Sequence, residues 1–124
     1  AAIAAYEEGN LIENARRMGA VMSELHADLA RRHPSVGAVR SLGLFGIVEL
    51  VRNRKTRAPL APFNGTSEAM KALAKFFRDE GLYTFVRWNT FFTNPPLSIN
   101  ESEMRQAFAI IDRGLDITDK YVEA

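Results

Sequence analysis

Cysteine is absent from the chain's 124 residues. That excludes a disulfide framework and thiolate metal sites, and it makes a reducing, cytoplasmic setting the expectation. No apolar run approaches the roughly 20 residues that cross a bilayer. No signal peptide is visible, so no membrane role is expected. Charge of one sign is also lacking. A net charge of +1 supplies no general field for nucleic acid, and a polyanion would have to find a local patch. The nucleophile elbow G-x-S-x-G is missing. So are the glycine-rich phosphate loops, because Gly43-Leu44-Phe45-Gly46 lacks both the extra glycine and the following helix. Histidine is limited to His26 and His33, with no third ligand at a useful offset. No metal site is expected. His26 reads as solvated and His33 as a cation suited to a helix C-terminus. The opening AAIAAYEEGN has no Met and no N-cap. It reads as the end of a helix begun upstream, and the expectation is a piece of a longer protein.

What is present suits a packed core. Hydrophobic residues make up 47%, charged residues 25% and aromatics 10%, ordinary values for one domain spanning 1–124. Residues 1–8 look helical. Leu11–Arg32 then carries an apolar stripe at helical spacing, formed by Leu11, Ala15, Met18, Met22, Leu25 and Leu29, and Pro34 stops the helix. Val36–Arg40 and Leu44–Val51 read as two strands joined through Ser41-Leu42-Gly43, a strand pair over 36–51. Arg52–Gly65 has no period and reads as a long surface loop, with Arg52, Arg54, Lys55 and Arg57 as a solvated basic cluster. Thr66–Glu80 is a helix that buries Met70, Leu73, Phe76 and Phe77, capped by Thr66 or Ser67 and closed by Gly81. Leu82–Val86 and Thr90–Thr93 are short strands. Asn100 with Glu103 approximates a capping box ahead of a last helix, Glu101 to about Val122, that buries Met104, Phe108, Ile111, Leu115 and Val122. Residues 66–122 therefore read as α-β-β-α. The whole chain predicts an α+β domain, a small antiparallel or mixed sheet with helices packed on one face.

The segment most suggestive of chemistry is GLYTFVRWNTFFTNPP, Gly81–Pro96. One arginine, Arg87, lies among Tyr83, Phe85, Trp88, Phe91 and Phe92. A guanidinium held still in dehydrated aromatic surroundings can take a carboxylate through two parallel hydrogen bonds. The plainer reading is that Arg87 only stacks on Trp88 or pairs with a surface acid. The aromatics also permit a base-stacking platform, though sheet-core aromatics are the commoner outcome. Lys55, Lys71, Lys75 and Lys120 all lack the apolar setting that suits Schiff-base work.

VRSLGLFGIVEL, a proline-bearing loop, and GLYTFVRWNTFFTNPPLSINESEM with its final helix resemble the C-terminal segment of class III pyridoxal-phosphate-dependent aminotransferases. The likeness is to the ω-amino-acid group, including taurine–pyruvate and β-alanine–pyruvate aminotransferases. The resemblance implies the small domain of a larger enzyme, with residues 1–32 as its helical entry, packed on a cofactor domain and helping to cover the active site, in a homodimer. It implies an amine or amino-acid donor and a keto-acid acceptor such as pyruvate, with pyridoxal 5'-phosphate in the parent enzyme. It also makes Arg87 the residue that binds substrate carboxylate. The family's Schiff-base lysine, its aspartate against the pyridine nitrogen and its phosphate-binding turn lie upstream. This chain alone is therefore expected to bind no cofactor and to contribute no catalytic residue. The alternative is a stand-alone α+β module for ligand binding or dimerisation.

Overall fold

A computed structural model describes residues 11–62, 64–82 and 84–123. The expected helix over residues 1–8 and the side chain of Tyr83 lie outside these. The first described element, α1, runs Leu11–Arg32, and its Met18, Met22 and Leu29 are buried as the stripe requires. His26 is buried on the same helix, only 1% exposed, which corrects its reading as a solvated side chain. It lies one turn beyond Met22 and so falls on the buried face.

Strands β1 (Val36–Leu42) and β2 (Phe45–Asn53) form an antiparallel hairpin with a bulge between Val36 and Ala38. The loop read as periodless contains β3 (Ala58–Pro59), which adds to the far end of β2. Helix α2 (Glu68–Asp79) starts at Ser67, whose side chain accepts from the Met70 amide. It ends in a Schellman turn. Leu82 N–H donates to Phe77 O at 2.8 Å and Gly81 N–H to Arg78 O at 3.1 Å, and Gly81 takes the left-handed φ of 81° that this ending needs. The extended segment after it is shorter than expected. Among its described residues only Val86–Arg87 pairs, as β4, followed by β5 (Thr90–Thr93). Helix α3 (Glu101–Asp119) begins with the full capping box of Asn100 and Glu103.

Strand order is β1-β2-β5-β4, with β3 on β2, and every pairing is antiparallel. The sheet's two faces differ in chemistry because strand side chains alternate. Val48, Leu50 and Phe91 point one way and are fully buried at 0% exposure. On that side Phe77 of α2 meets Phe91 edge-on at 5.4 Å between ring centroids. Gly19 of α1 sits so close to the β1–β2 turn that a Cβ there would lie 2.7 Å from Gly43 O. The opposite face carries Arg40, Phe45, Ile47, Glu49, Arg87 and Phe92, none of them fully buried. This is the α+β arrangement expected, with helices on one face of a small antiparallel sheet.

Candidate functional site

The sheet face that no described helix covers bears a hollow of about 280 Å³, floored by Ile47 and Phe92 and rimmed by Arg40, Glu49, Arg87 and Trp88. Pairing register explains why these side chains meet. Glu49 pairs with Thr90, and Thr90 pairs with Arg87, so one row crosses β2, β5 and β4. Ile47 pairs with Phe92 in the next row toward the other end of β5.

Arg87 lies with its guanidinium carbon 4.2 Å from the centroid of the Trp88 ring. No carboxylate pairs with it among the described residues. The stacking expected of the plainer reading is therefore real. The dry niche is not, because Arg87 is exposed. The reason is register. Phe91 alternates onto the core face, while Arg87 and Phe92 alternate onto the open face. The aromatics that do gather there are Phe92, stacked 16° from parallel on Phe85 at 5.4 Å, and Phe45 at 5.8 Å. Phe85 is 55% exposed and Phe45 49%, so an apolar strip borders the hollow and faces solvent in this chain.

The Arg87–Trp88–Asn89 turn has unusual backbone geometry. Trp88 has φ 52°, in the left-handed region that costs a bulky L-residue about 1–2 kcal/mol. Thr90 Oγ1 donates to Arg87 O at 2.7 Å. Asn89 Nδ2 donates to Leu50 O at 2.9 Å, and Leu50 N–H donates back to Asn89 O at 2.7 Å.

His33 was expected at a helix end, and it stands there, but buried at 3% exposure. Its Nδ1 lies 2.6 Å from Asp119 Oδ2 and its Nε2 2.6 Å from Asp112 Oδ1. Asp116 is 3.9 Å away, and Arg32 pairs with Asp112 at 2.7 Å. Burial pulls the imidazole pKa down, but the hydrogen bonds and charges of Asp112 and Asp119 outweigh it, and the net shift is upward. Asp119 also accepts from Ser35 N and from Ser35 Oγ, at 3.1 Å and 2.6 Å. With both ring nitrogens already facing carboxylates, His33 joins the end of α1 to α3. His26 differs. Its Nε2 is 2.8 Å from Thr93 Oγ1, its Nδ1 has no partner among the described residues, and burial pushes its pKa down to about 4. Sequence reading missed both roles because the contacts are long-range.

The basic loop is corrected at one position. Arg54 is not simply solvated. Its guanidinium donates to Val36 O at 3.0 Å, to His33 O at 2.6 Å and to Ala30 O, tying the end of α1 to the start of β1. Lys55, Lys71, Lys75 and Lys120 are exposed, and none lines the hollow. The described residues therefore offer no lysine and no phosphate cradle for a pyridoxal cofactor. Among them, no helix is long and apolar enough to cross a membrane.

The described residues thus form an α+β arrangement with helices on one side of the sheet and an arginine-bearing open face on the other. The class-III aminotransferase family matches residues 1–115, and the chain belongs to that family. A taurine:2-oxoglutarate aminotransferase from Bifidobacterium kashiwanohense, solved with PLP and glutamate, superposes with a TM-score of 0.86 at 25% identity, over 93% of this chain and 26% of that one. A taurine–pyruvate aminotransferase of Bilophila wadsworthia is 39% identical over 56% of this chain and 15% of that protein. Ethanolamine-phosphate phospho-lyase homolog 1 of Caenorhabditis elegans is 28% identical over 92% of this chain and 24% of that protein. The chain thus spans about a quarter or less of each of these relatives.

Proposed function

We propose that residues 1–124 are a single domain, the C-terminal small domain of a pyridoxal-phosphate-dependent transaminase that moves an amino group from an ω-amino acid or amine to a keto acid such as pyruvate. The taurine aminotransferases among its relatives support the donor class. In this reading the cofactor supplies electron-sink chemistry and is held by a large domain outside these residues. This chain supplies two things. Arg87 binds the substrate carboxylate, and the open sheet face packs against the rest of the homodimeric enzyme to exclude water.

One observation carries the reading. The Arg87 guanidinium is oriented by Trp88 at 4.2 Å, lacks a carboxylate partner among the described residues, and rims a hollow on the side that no described helix covers. A planar fork with one face on an indole keeps its in-plane N–H groups for a bidentate acid. The test is steady-state kinetics of the intact enzyme. A charged hydrogen-bonded contact is worth about 1.5–3 kcal/mol, so Arg87→Ala should raise KM for carboxylate donors about tenfold or more. Arg87→Lys should rescue poorly, because an ammonium cannot fork. Unchanged kinetics would remove Arg87 from the site. A phospho-lyase relative makes reaction type a separate check: keto-acid-dependent amino transfer supports the reading, and elimination without a keto acid refutes it.

A further inference from the structure

We infer that Asn89 is a positioning residue for Arg87, holding the hairpin turn so that the Trp88 ring stays beneath the guanidinium. The inference rests on the proposed reading of Arg87 as the carboxylate clamp.

Strand β4 has only Val86 and Arg87, paired with Phe91 and Thr90. A hairpin this short does not hold its own shape. Its turn is also conformationally unfavourable, because Trp88 sits at φ 52°. Left to local preference, an aromatic residue there would relax toward negative φ and swing its ring away from Arg87. Something outside the turn must hold it.

Asn89 has the right bonds. The regular β2–β5 ladder ends at the Glu49–Thr90 pair. One residue further along, Asn89 faces Leu50 and makes two bonds with it. Leu50 N–H donates to Asn89 O at 2.7 Å, and the Asn89 side-chain amide donates to Leu50 O at 2.9 Å. The side chain thus takes the place of a main-chain N–H and adds a rung to the ladder. Leu50 is fully buried at 0% exposure, and its carbonyl also accepts from Leu60 N–H at 3.1 Å. The turn is therefore tied to the best-anchored strand of the sheet. Thr90 Oγ1 fixes the Arg87 carbonyl from the other side, at 2.7 Å. Thr90 thus holds Arg87's backbone, while Asn89 holds the turn that carries its indole support. The donor at Asn89 is essential, because a carboxylate there would set its lone pairs against the Leu50 carbonyl.

Two measurements test this. Trp88 is the only tryptophan in the chain, so its fluorescence reports on the turn directly. Asn89→Asp, close to isosteric, should raise acrylamide quenching of Trp88 at neutral pH. Acidification should reverse the change, since a protonated carboxyl can donate to Leu50 O again. In the intact enzyme, Asn89→Ala should raise KM about three- to tenfold for a carboxylate-bearing donor, as loss of one oriented hydrogen bond implies. It should leave kcat, and KM for an amine without a carboxylate, unchanged. On an Arg87→Ala background it should add nothing. If Arg87→Ala raises KM while Asn89→Ala and Asn89→Asp leave both KM and quenching unaltered, the inference falls and the clamp stands. Equal loss on both donor types would assign Asn89 a merely structural part and overturn the inference too. If Arg87→Ala itself has no effect, the clamp fails first, and the inference fails with it.

Discussion

The two buried histidines should give this chain a stability maximum near pH 6.5, with losses on both sides for opposite reasons. His26 holds a pKa of about 4, below the ordinary 6.5, because burial disfavours its charged form. Between those values the unfolded imidazole binds a proton and the folded one does not, so stability falls as pH drops. The gap of 2.5 pH units, at 1.36 kcal/mol each, amounts to about 3 kcal/mol. In a chain of this size that lowers Tm by about 10 °C. His33 is shifted the other way, its burial outweighed by Asp112 and Asp119. Its contribution is complete below the unfolded pKa of 6.5 and is lost as pH rises through the folded value, at up to about 1.4 kcal/mol per unit. Asp112 is held below its ordinary 3.8, because the hydrogen bonds from His33 and Arg32 outweigh its burial, so its contribution disappears only in stronger acid. Thermal melts of the chain followed by circular dichroism from pH 4 to 9 should trace this dome. His26→Leu should flatten the acid limb. Asp119→Asn should flatten the alkaline limb and cost about 2–4 kcal/mol at pH 6 by leaving only one His33 ring nitrogen hydrogen-bonded to a carboxylate. Stability that rises steadily from pH 5 to 9, or an NMR titration of His33 below pH 6.5, would refute the argument.

Two stability tests follow from contacts at the edges of the core. Gly19→Ala gains about 1 kcal/mol of helix propensity but brings a Cβ to 2.7 Å from the Gly43 carbonyl oxygen, a backbone atom. Urea titration should therefore show a net loss of about 1–2 kcal/mol, because overpacking wins. Arg54→Ala removes the donor to three carbonyls at the end of α1 and the start of β1, and should cost about 2 kcal/mol. Lys55→Ala, its exposed neighbour, should stay within about 0.5 kcal/mol.

Local patterns made much of the fold legible. The helical stripe of α1, the capping box at Asn100 and the glycine closing α2 each depend on residues only a few positions apart, and the structure places all of them where the spacing said. The face assignments were harder. Alternation alone could not say which of Phe91 and Phe92 would turn inward. That depends on the register of β5 against β2, which pairs Val48 with Phe91 and Ile47 with Phe92. Arg87 was readable as a residue of interest from its neighbours in sequence, but its exposure follows from the same register. His26 and His33 were misread because their environments come from Thr93 and from Asp112 and Asp119, on elements far along the chain. Asn89 was passed over because its partner Leu50 lies on another strand.

An exposed arginine alone is a poor clamp, since a solvated ion pair contributes only about 0–1 kcal/mol. On the proposed reading, this one is weak alone and strong in company. Its orientation is already set, by the Trp88 ring beneath it and by a turn tied to β2. What it lacks is cover, and the exposed Phe45 and Phe85 beside Phe92 form an apolar border that a second surface could seal. Sealing lowers the local dielectric, and the same guanidinium–carboxylate contact then gains several-fold in strength without any movement of the arginine. A domain that carries a pre-oriented cation but not its cover would thus bind acids feebly when apart from the enzyme and tightly only when closed over it. On the proposed reading, the orientation of the clamp belongs to this chain and its strength to the contact between domains.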